Sequence, residues 1–320
     1  MKIIAELCQN HNGNFKVLKN MVKSASLNGA THVKIQHIYS KNLSKRNIFE
    51  AGYKLNNKFL SIKRPYKPEF DRLRKLEINK NQILRFIELC KEHRVIPLTT
   101  CFTREHVNEI KEMGFNEVKV ASYDCGSFPM LKDIKKKFKF IYLSTGASYN
   151  IEIKEACRIL KNNYSLLHCV TQYPTKIVNV NLSRIHFLKK YCKITGYSDH
   201  TNPDEDKLIA SFAAIYFGAK VLERHFTILD KKKIKDGKVS INSGELAHIK
   251  EFSLMSKSQQ LDKLNAMSFN QKLILGKSNA IMSEEEKLNR DYYRGRFVSF
   301  VNDKRGKFEV FNWENTPLVF

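Results

Sequence analysis

Short β-branched runs alternate with amphipathic stretches along most of this chain, and no other feature constrains the fold so tightly. Runs at 2–7, 32–37, 95–100, 117–122, 139–145, 165–170, 193–198 and 220–226 read as strands. Between them the apolar spacing predicts helices near 16–28, 79–93, 104–113, 128–137, 151–162, 182–191 and 204–217, with another starting at about Gly244. Alternating strand and helix implies parallel pairing through right-handed crossovers, because a tight hairpin cannot join parallel neighbours. Eight such units in roughly 250 residues fit an α/β fold, the closed (β/α)8 TIM barrel. A doubly wound open sheet is the alternative, but no G-x-G-x-x-G follows the first strand to hold a dinucleotide.

Two segments depart from the repeating unit. Some forty residues, 38–79, separate the second strand from its helix, far beyond an ordinary βα loop of about 2 to 6. A β2–α2 insertion of this length stands over the barrel mouth; we expect a lid with basic and aromatic groups and a short helix beginning around Tyr66–Phe70, a plain surface excursion being the other reading. At the far end, residues 281–320 read as a connecting segment and a short β-hairpin tail turning at "NDKRG" and ending near Trp313, so the barrel is expected to occupy residues 1–280. The tail's apolar residues are expected to pack on the barrel bottom or on a partner subunit.

Composition narrows the class. The seven cysteines (Cys8, Cys90, Cys101, Cys125, Cys157, Cys169, Cys192) are scattered, odd in number and never spaced C-x-x-C, which argues against both a disulfide framework and a thiolate zinc site. No run reaches the roughly 18 apolar residues of a membrane span, and the start, "MKIIAELCQNHNG", turns polar too early for a signal peptide, so a cytoplasmic protein with no membrane partner is expected. A formal charge of +24 raises nucleic acid and anionic small molecules as partners, but the lysines spread along the chain instead of gathering in a basic arm, which argues against nucleic acid.

In a barrel, chemistry collects at the carboxyl ends of the strands. Here Glu6 ends the first strand, Lys34 and Gln36 share a face of the second, and Thr100 ends the third. Lys119 and Ser122 fall on the fourth and Ser144 on the fifth; "LHCVTQYPT", "GYSDHT" and "LERHF" follow on the last three. Polar residues at one strand end mean little, whereas eight in register line a cavity. Ser198 and His200 share a face, as do Glu223 and His225 on the neighbouring strand, so two imidazoles can converge. Such a pair suits Mn²⁺, Zn²⁺ or Fe²⁺, or else consists of two core histidines bonded to their neighbours.

The ordered set "AELCQNHNG", "VKIQ", "KVAS", "LSTG", "LLHC" with "YPT", "GYSDHT", "LERHFT" and "DGKVS" resembles the N-acetylneuraminate (sialic acid) synthase family from residue 2 to about residue 250. The resemblance implies condensation of phosphoenolpyruvate with an N-acetylmannosamine-type amino-sugar aldehyde, addition of water and release of phosphate. It implies a divalent metal on His200 and His225, Mn²⁺ first, with Mg²⁺ or Co²⁺ as substitutes, and a homodimer. By the same resemblance Lys34, Thr100, Lys119, Ser122, Ser144, Thr171 and Ser198 bind phosphoenolpyruvate. Gln36 and Tyr173 touch substrate, Asp236 grips sugar hydroxyls, and Glu6 stands beside the reacting carbons. Asn10 and His11 shape the sugar or metal side, or form only a turn.

Departures from the family pattern are Cys101 at a usual proline, Tyr123 and Asp124 at a glycine–glutamate pair, Thr171 at an asparagine, and "KKKIK" before Asp236. The family's C-terminal antifreeze-like domain, which offers an arginine to the partner's active site, is expected to be missing or reduced to a stub, with Arg294 or Arg296 as candidate substitutes. The competing functions are another metal-dependent aldolase-type barrel, and a catalytically weak relative serving binding or assembly.

Overall fold

The computed structural model describes residues 1–320 except Asn57, Ala280, Ile281, Arg305, Val319 and Phe320. The expected boundary between 280 and 281 therefore lies outside the described residues, as does Arg305 in the tail turn. Eight parallel strands run round one sheet: β1 (Lys2–Cys8), β2 (His32–His37), β3 (Ile96–Cys101), β4 (Glu117–Val120), β5 (Phe140–Ser144), β6 (Tyr164–Cys169), β7 (Thr195–Asp199) and β8 (Val221–Phe226). The sheet closes where β8 pairs with β1, Lys2 opposite Val221 and Glu6 opposite His225. All eight expected strands are present, and the fold is the (β/α)8 barrel.

Period-two alternation sorts each strand. Ile3, Ala5 and Leu7 of β1 point outward into the layer between sheet and helices, where each buried branched side chain contributes roughly 1.5–3 kcal/mol. The helices return matching faces: in Lys80–Glu92, Ile83, Phe86, Ile87 and Cys90 are buried, and Asn79 with Gln82 forms a capping box at its start. Inward, Ile4, Leu98, Tyr142, Leu167 and Val221 form an apolar floor. Beneath it Lys2 donates to the Tyr142 hydroxyl at 2.7 Å and that hydroxyl donates to Glu117 at 2.6 Å, closing the bottom. The interior can open only at the strands' carboxyl ends.

One expected helix is broken. Residues 204–217 form two helices, Pro203–Asp206 and Ile209–Tyr216, because Lys207 and Leu208 take φ of 52° and 69° and interrupt the ladder. The insertion holds a small hairpin (Tyr53–Leu55 with Lys58–Ser61) and the helix Tyr66–Arg74, at the position expected. After a helix at Glu284–Arg294, Val298–Asp303 pairs antiparallel with Gly306–Phe311, so the tail is a hairpin, ending two residues short of Trp313.

The tail does not pack on the barrel bottom. Phe297 packs against Phe102 at a tilt, ring centroids 5.4 Å apart, Arg104 N donates to Ser299 Oγ at 2.8 Å, and Asn312 Nδ2 donates to Asp124 at 2.9 Å. These partners lie in the loops after β3 and β4, on the upper face. There Leu43, Leu73 and Phe297 bury one another, whereas the lower face is already closed by the Lys2–Tyr142–Glu117 cluster. Among the described residues no helix is long and apolar enough to cross a membrane.

Candidate active site

Every barrel strand sends a polar group into one cavity of about 80 Å³ above the apolar floor. Glu6 of β1, Lys34 and Gln36 of β2, Thr100 of β3 and Lys119 of β4 line one side. Ser144, Cys169, Ser198 and Glu223 line the other, with His200 and His225 at the rim. The charges are ordered: Lys34 pairs with Glu6 and lies 3.2 Å from Glu223, and Lys119 lies 3.3 Å from the other Glu223 oxygen. Each ammonium also donates to a hydroxyl at 2.7 Å, Lys34 to Thr100 and Lys119 to Ser144. Burial would raise the Glu223 carboxyl, but Lys119 and Lys34 hold it well below the carboxylate range. Burial brings the Lys34 ammonium down to about 8, with Glu223 pulling the other way.

The two imidazoles meet at the rim with ring centroids 5.4 Å apart, at 70°. His200 Nδ1 lies 3.1 Å from the Val170 carbonyl, which can only accept; that bond assigns the N–H to Nδ1 and leaves a lone pair on Nε2. Burial, then the neighbouring His225, brings His200 down to about 3, so it is neutral and able to ligate. His225 is also lowered, chiefly by burial. Its Nδ1 is buried without a hydrogen-bond partner, 3.8 Å from Asp236 Oδ2. Asp236 accepts from the Cys8 thiol at 3.1 Å, and one donor atom each from Cys8, His225 and Asp236 lies within 4.8 Å of the others. Cys8 takes φ of 46° where β1 leaves register with β2, a left-handed conformation costing on the order of 1–3 kcal/mol for such a residue.

A protein-family model described as the NeuB family matches residues 21–262. The chain belongs to the NeuB family. Its relatives include the N,N'-diacetyllegionaminic acid synthase of Campylobacter jejuni, 31% identical over 98% of this chain and 88% of that protein. The pseudaminic acid synthase of the same species is 26% identical over 99% and 86% of the two chains. The N-acetylneuraminic acid synthetase of Leptospira borgpetersenii, solved in complex with citrate, superposes with a TM-score of 0.67 at 25% identity, covering 91% of this chain and 90% of that one. This NeuB chain is thus a member of the nonulosonic acid synthases, the sialic, legionaminic and pseudaminic types.

Most of the residues proposed from the NeuB resemblance are brought together. Ser122 lines the cavity and accepts from the Gly146 backbone N–H at 3.2 Å, and Gln36 accepts from Gln9 at 3.4 Å. The Tyr173 ring lies 4.2 Å from that of His200 and forms a wall. Thr171 is not in the cavity: its N–H and hydroxyl both donate to Glu286 of the C-terminal helix, at 3.1 and 3.3 Å. Asn10 is structural, its amide donating at 2.9 Å to Phe226 O and to Ser240 Oγ. His11 Nδ1 accepts from Gly13 N–H, a turn role; Gly13 itself has φ of 74°, and a Cβ there would meet Lys75 O at 2.2 Å. Neither candidate arginine enters the cavity. Arg296 pairs with Glu69 and Arg294 lies 3.7 Å from Glu152, both beside a smaller adjoining hollow bounded by Tyr123.

Cys8, Cys169, Phe102 and Tyr123 were missed from the sequence. Cys8 is two residues beyond Glu6 and Cys169 two beyond Leu167, so strand periodicity already aimed both upward into the mouth. Arg224, between the two inward residues of β8, faces the helices and forms a fully buried pair with Asp199 at 2.7 Å.

Proposed function

We propose that this chain condenses phosphoenolpyruvate with an N-acetylmannosamine-type amino-sugar aldehyde, adding water and releasing phosphate to give a nine-carbon 2-keto acid. The observation that carries the reading is the convergence of two buried ammonium groups, each with a hydroxyl at 2.7 Å, and two neutral imidazoles on one cavity. A substrate with a phosphate at one end and a carboxylate at the other needs separated cations with neighbouring hydroxyl donors. Lys34 with Thr100 and Lys119 with Ser144 supply them, and Ser122 and Ser198 extend the donor set.

The rim fits a divalent ion, since His225 Nδ1 is a buried donor atom without a partner beside Cys8 and Asp236. His200 and His225 would hold it, with Asp236 or the Cys8 sulfur in reach. Imidazole, carboxylate and thiol donors favour Mn²⁺ or Co²⁺ over Mg²⁺, which prefers oxygen alone. When bound, such an ion supplies Lewis acidity at the aldehyde oxygen. Glu6 is held by Lys34 and by the Cys8 N–H, which donates to it at 2.5 Å, so its carboxylate is fixed in the cavity wall, and we assign it to the reacting carbons. There it steadies positive charge or orients the attacking water. Tyr173 shields the imidazoles from one side.

Phosphate release from phosphoenolpyruvate, measured over a panel of amino-sugar aldehydes with and without Mn²⁺, tests the reading. Release that requires both an aldehyde and the metal supports it. No release with any aldehyde, in protein that binds phosphoenolpyruvate, rejects it.

A further inference from the structure

A second cluster of metal-binding side chains lies outside the barrel interior. In β2, Lys34 and Gln36 face the cavity, so period-two alternation turns His37 to the outer face, toward the helix His106–Glu112. There His37, His106 and Glu109 each bring one donor atom within 4.8 Å of the other two. Glu109 Oε2 lies 3.6 Å from His37 Nε2 and 3.8 Å from His106 Nε2. Tetrahedral Zn²⁺ bonded at about 2.0–2.1 Å sets its ligand atoms about 3.4 Å apart. The two distances to Glu109 therefore stand within a few tenths of an ångström of that spacing, and the two imidazole donors lie within 4.8 Å of each other.

Three further observations point the same way. His37 is only 3% exposed, and neither of its ring nitrogens has a hydrogen-bond partner, an arrangement that buried polar groups normally avoid. His106 Nδ1 is 2.7 Å from the Thr103 hydroxyl, so a proton there leaves the Nε2 lone pair directed at Glu109, the outer support that metal-bound histidines use. The Tyr39 ring packs edge-on against both imidazoles, 5.0 Å from each, and shields them on one side. The Glu109 side chain is one-third exposed, which leaves a path for the ion and a place for a water as fourth ligand.

We propose that His37, His106 and Glu109 form a second divalent-metal site, selective for Zn²⁺-type ions. Two imidazoles and a carboxylate suit Zn²⁺ and Co²⁺, whereas Mg²⁺ and Ca²⁺ require mostly oxygen. The site is a clasp in position and consequence. His37 is the last residue before the 38–79 insertion, and His106 and Glu109 belong to the helix that follows β3, so an ion joins the root of the insertion to the barrel wall. Its three donors are distinct from those of the proposed rim centre, which come from β1, β8 and the loops after β7 and β8.

The test is Zn²⁺ binding to the full-length chain carrying His200→Ala and His225→Ala, so that the catalytic rim no longer contributes. Elemental analysis after dialysis against Zn²⁺ should find one ion per chain, and Co²⁺ should give the visible absorption of a tetrahedral complex. Adding Glu109→Gln or His106→Gln should weaken that binding by tenfold or more. Glu109→Gln, at a partly exposed position, decides the matter if His106→Gln perturbs folding by circular dichroism. No retained Zn²⁺, or retained Zn²⁺ that neither substitution weakens, overturns the proposal. Because the rim histidines are absent throughout, either result is independent of whether the catalytic reading holds.

Discussion

Lys119 and Glu223 leave opposite sides of the barrel, on β4 and β8, and meet 3.3 Å apart at its centre. Glu223 holds Lys34 with its second oxygen, so one carboxylate restrains both ammonium groups of the proposed anion site. Glu223→Gln leaves these buried cations short of a counter-charge. We expect it to cost about 3–5 kcal/mol of stability, the penalty for breaking a buried pair. Added phosphoenolpyruvate should restore more melting temperature to this variant than to the native chain. A loss under about 1 kcal/mol, with no extra gain from the ligand, would show that Glu223 does not restrain the site.

On the proposed function, Lys34 makes anion binding pH-dependent. Burial lowers its folded value to about 8 from an ordinary 10.5. Below pH 8 the ammonium is present and binds the anion; as pH rises through 8 it is lost, and kcat/KM for phosphoenolpyruvate should fall. For folding the sign is opposite: a lowered ammonium disfavours the folded state below pH 8, and that cost fades between 8 and 10.5. Lys34→Arg should move the alkaline limb of the kcat/KM profile beyond the measurable range. An unchanged limb would assign it to another group.

Changing a partner of a metal-bound histidine costs about 10–100-fold. Replacing a ligand itself should cost more, so His225→Ala and His200→Ala should each lower Mn²⁺-dependent turnover by at least about 100-fold. Asp236→Asn should cost less in metal affinity and more in KM for the sugar. Full activity in His225→Ala would remove the metal centre from the mechanism.

Asp199 and Arg224 form a further buried pair, with Ser211 donating to Asp199 at 2.5 Å. Arg224→Met should destabilise the fold by about 3–5 kcal/mol, and the double substitution Asp199→Leu with Arg224→Met should recover part of that loss. Denaturant unfolding reads both. A double variant less stable than the single would mean that the pair is favourable beyond its desolvation cost.

The insertion is anchored by charge. Arg72 forks onto Glu69 at 2.8 Å and reaches Gln9 at 2.5 Å, while Arg296 of the tail holds Glu69 from the other side. Burial would raise the Glu69 carboxyl, but Arg72 and then Arg296 bring it down to about 2. This anchor is intact above pH 4.5 and is lost as pH falls toward 2. Arg296→Ala should speed proteolytic cleavage within residues 38–79 at neutral pH. Equal cleavage rates would mean that the tail does not fasten the insertion.

The barrel was legible in the sequence because its causes are local. Alternation with period two placed Glu6, Lys34, Lys119, Ser144, Glu223 and the two histidines on inward faces, and the 3.6-residue period placed the helices that cover the outside. The break at Lys207 and Leu208 was not legible, since no glycine or proline marks it and only the resulting backbone turn shows it.

The sequence by itself determined which residues of each strand face inward, because a side chain's face follows from its neighbours along the chain. Tertiary structure decided everything carried on loops. Thr171 turns to Glu286, Asp236 meets Cys8 and His225, and the tail settles on the upper face beside Phe102. Closure of the sheet also decided that Glu223 would face Lys119, more than a hundred residues earlier in the chain. Such contacts depend on which distant group offers an opposite charge or an apolar surface, and no local periodicity encodes that.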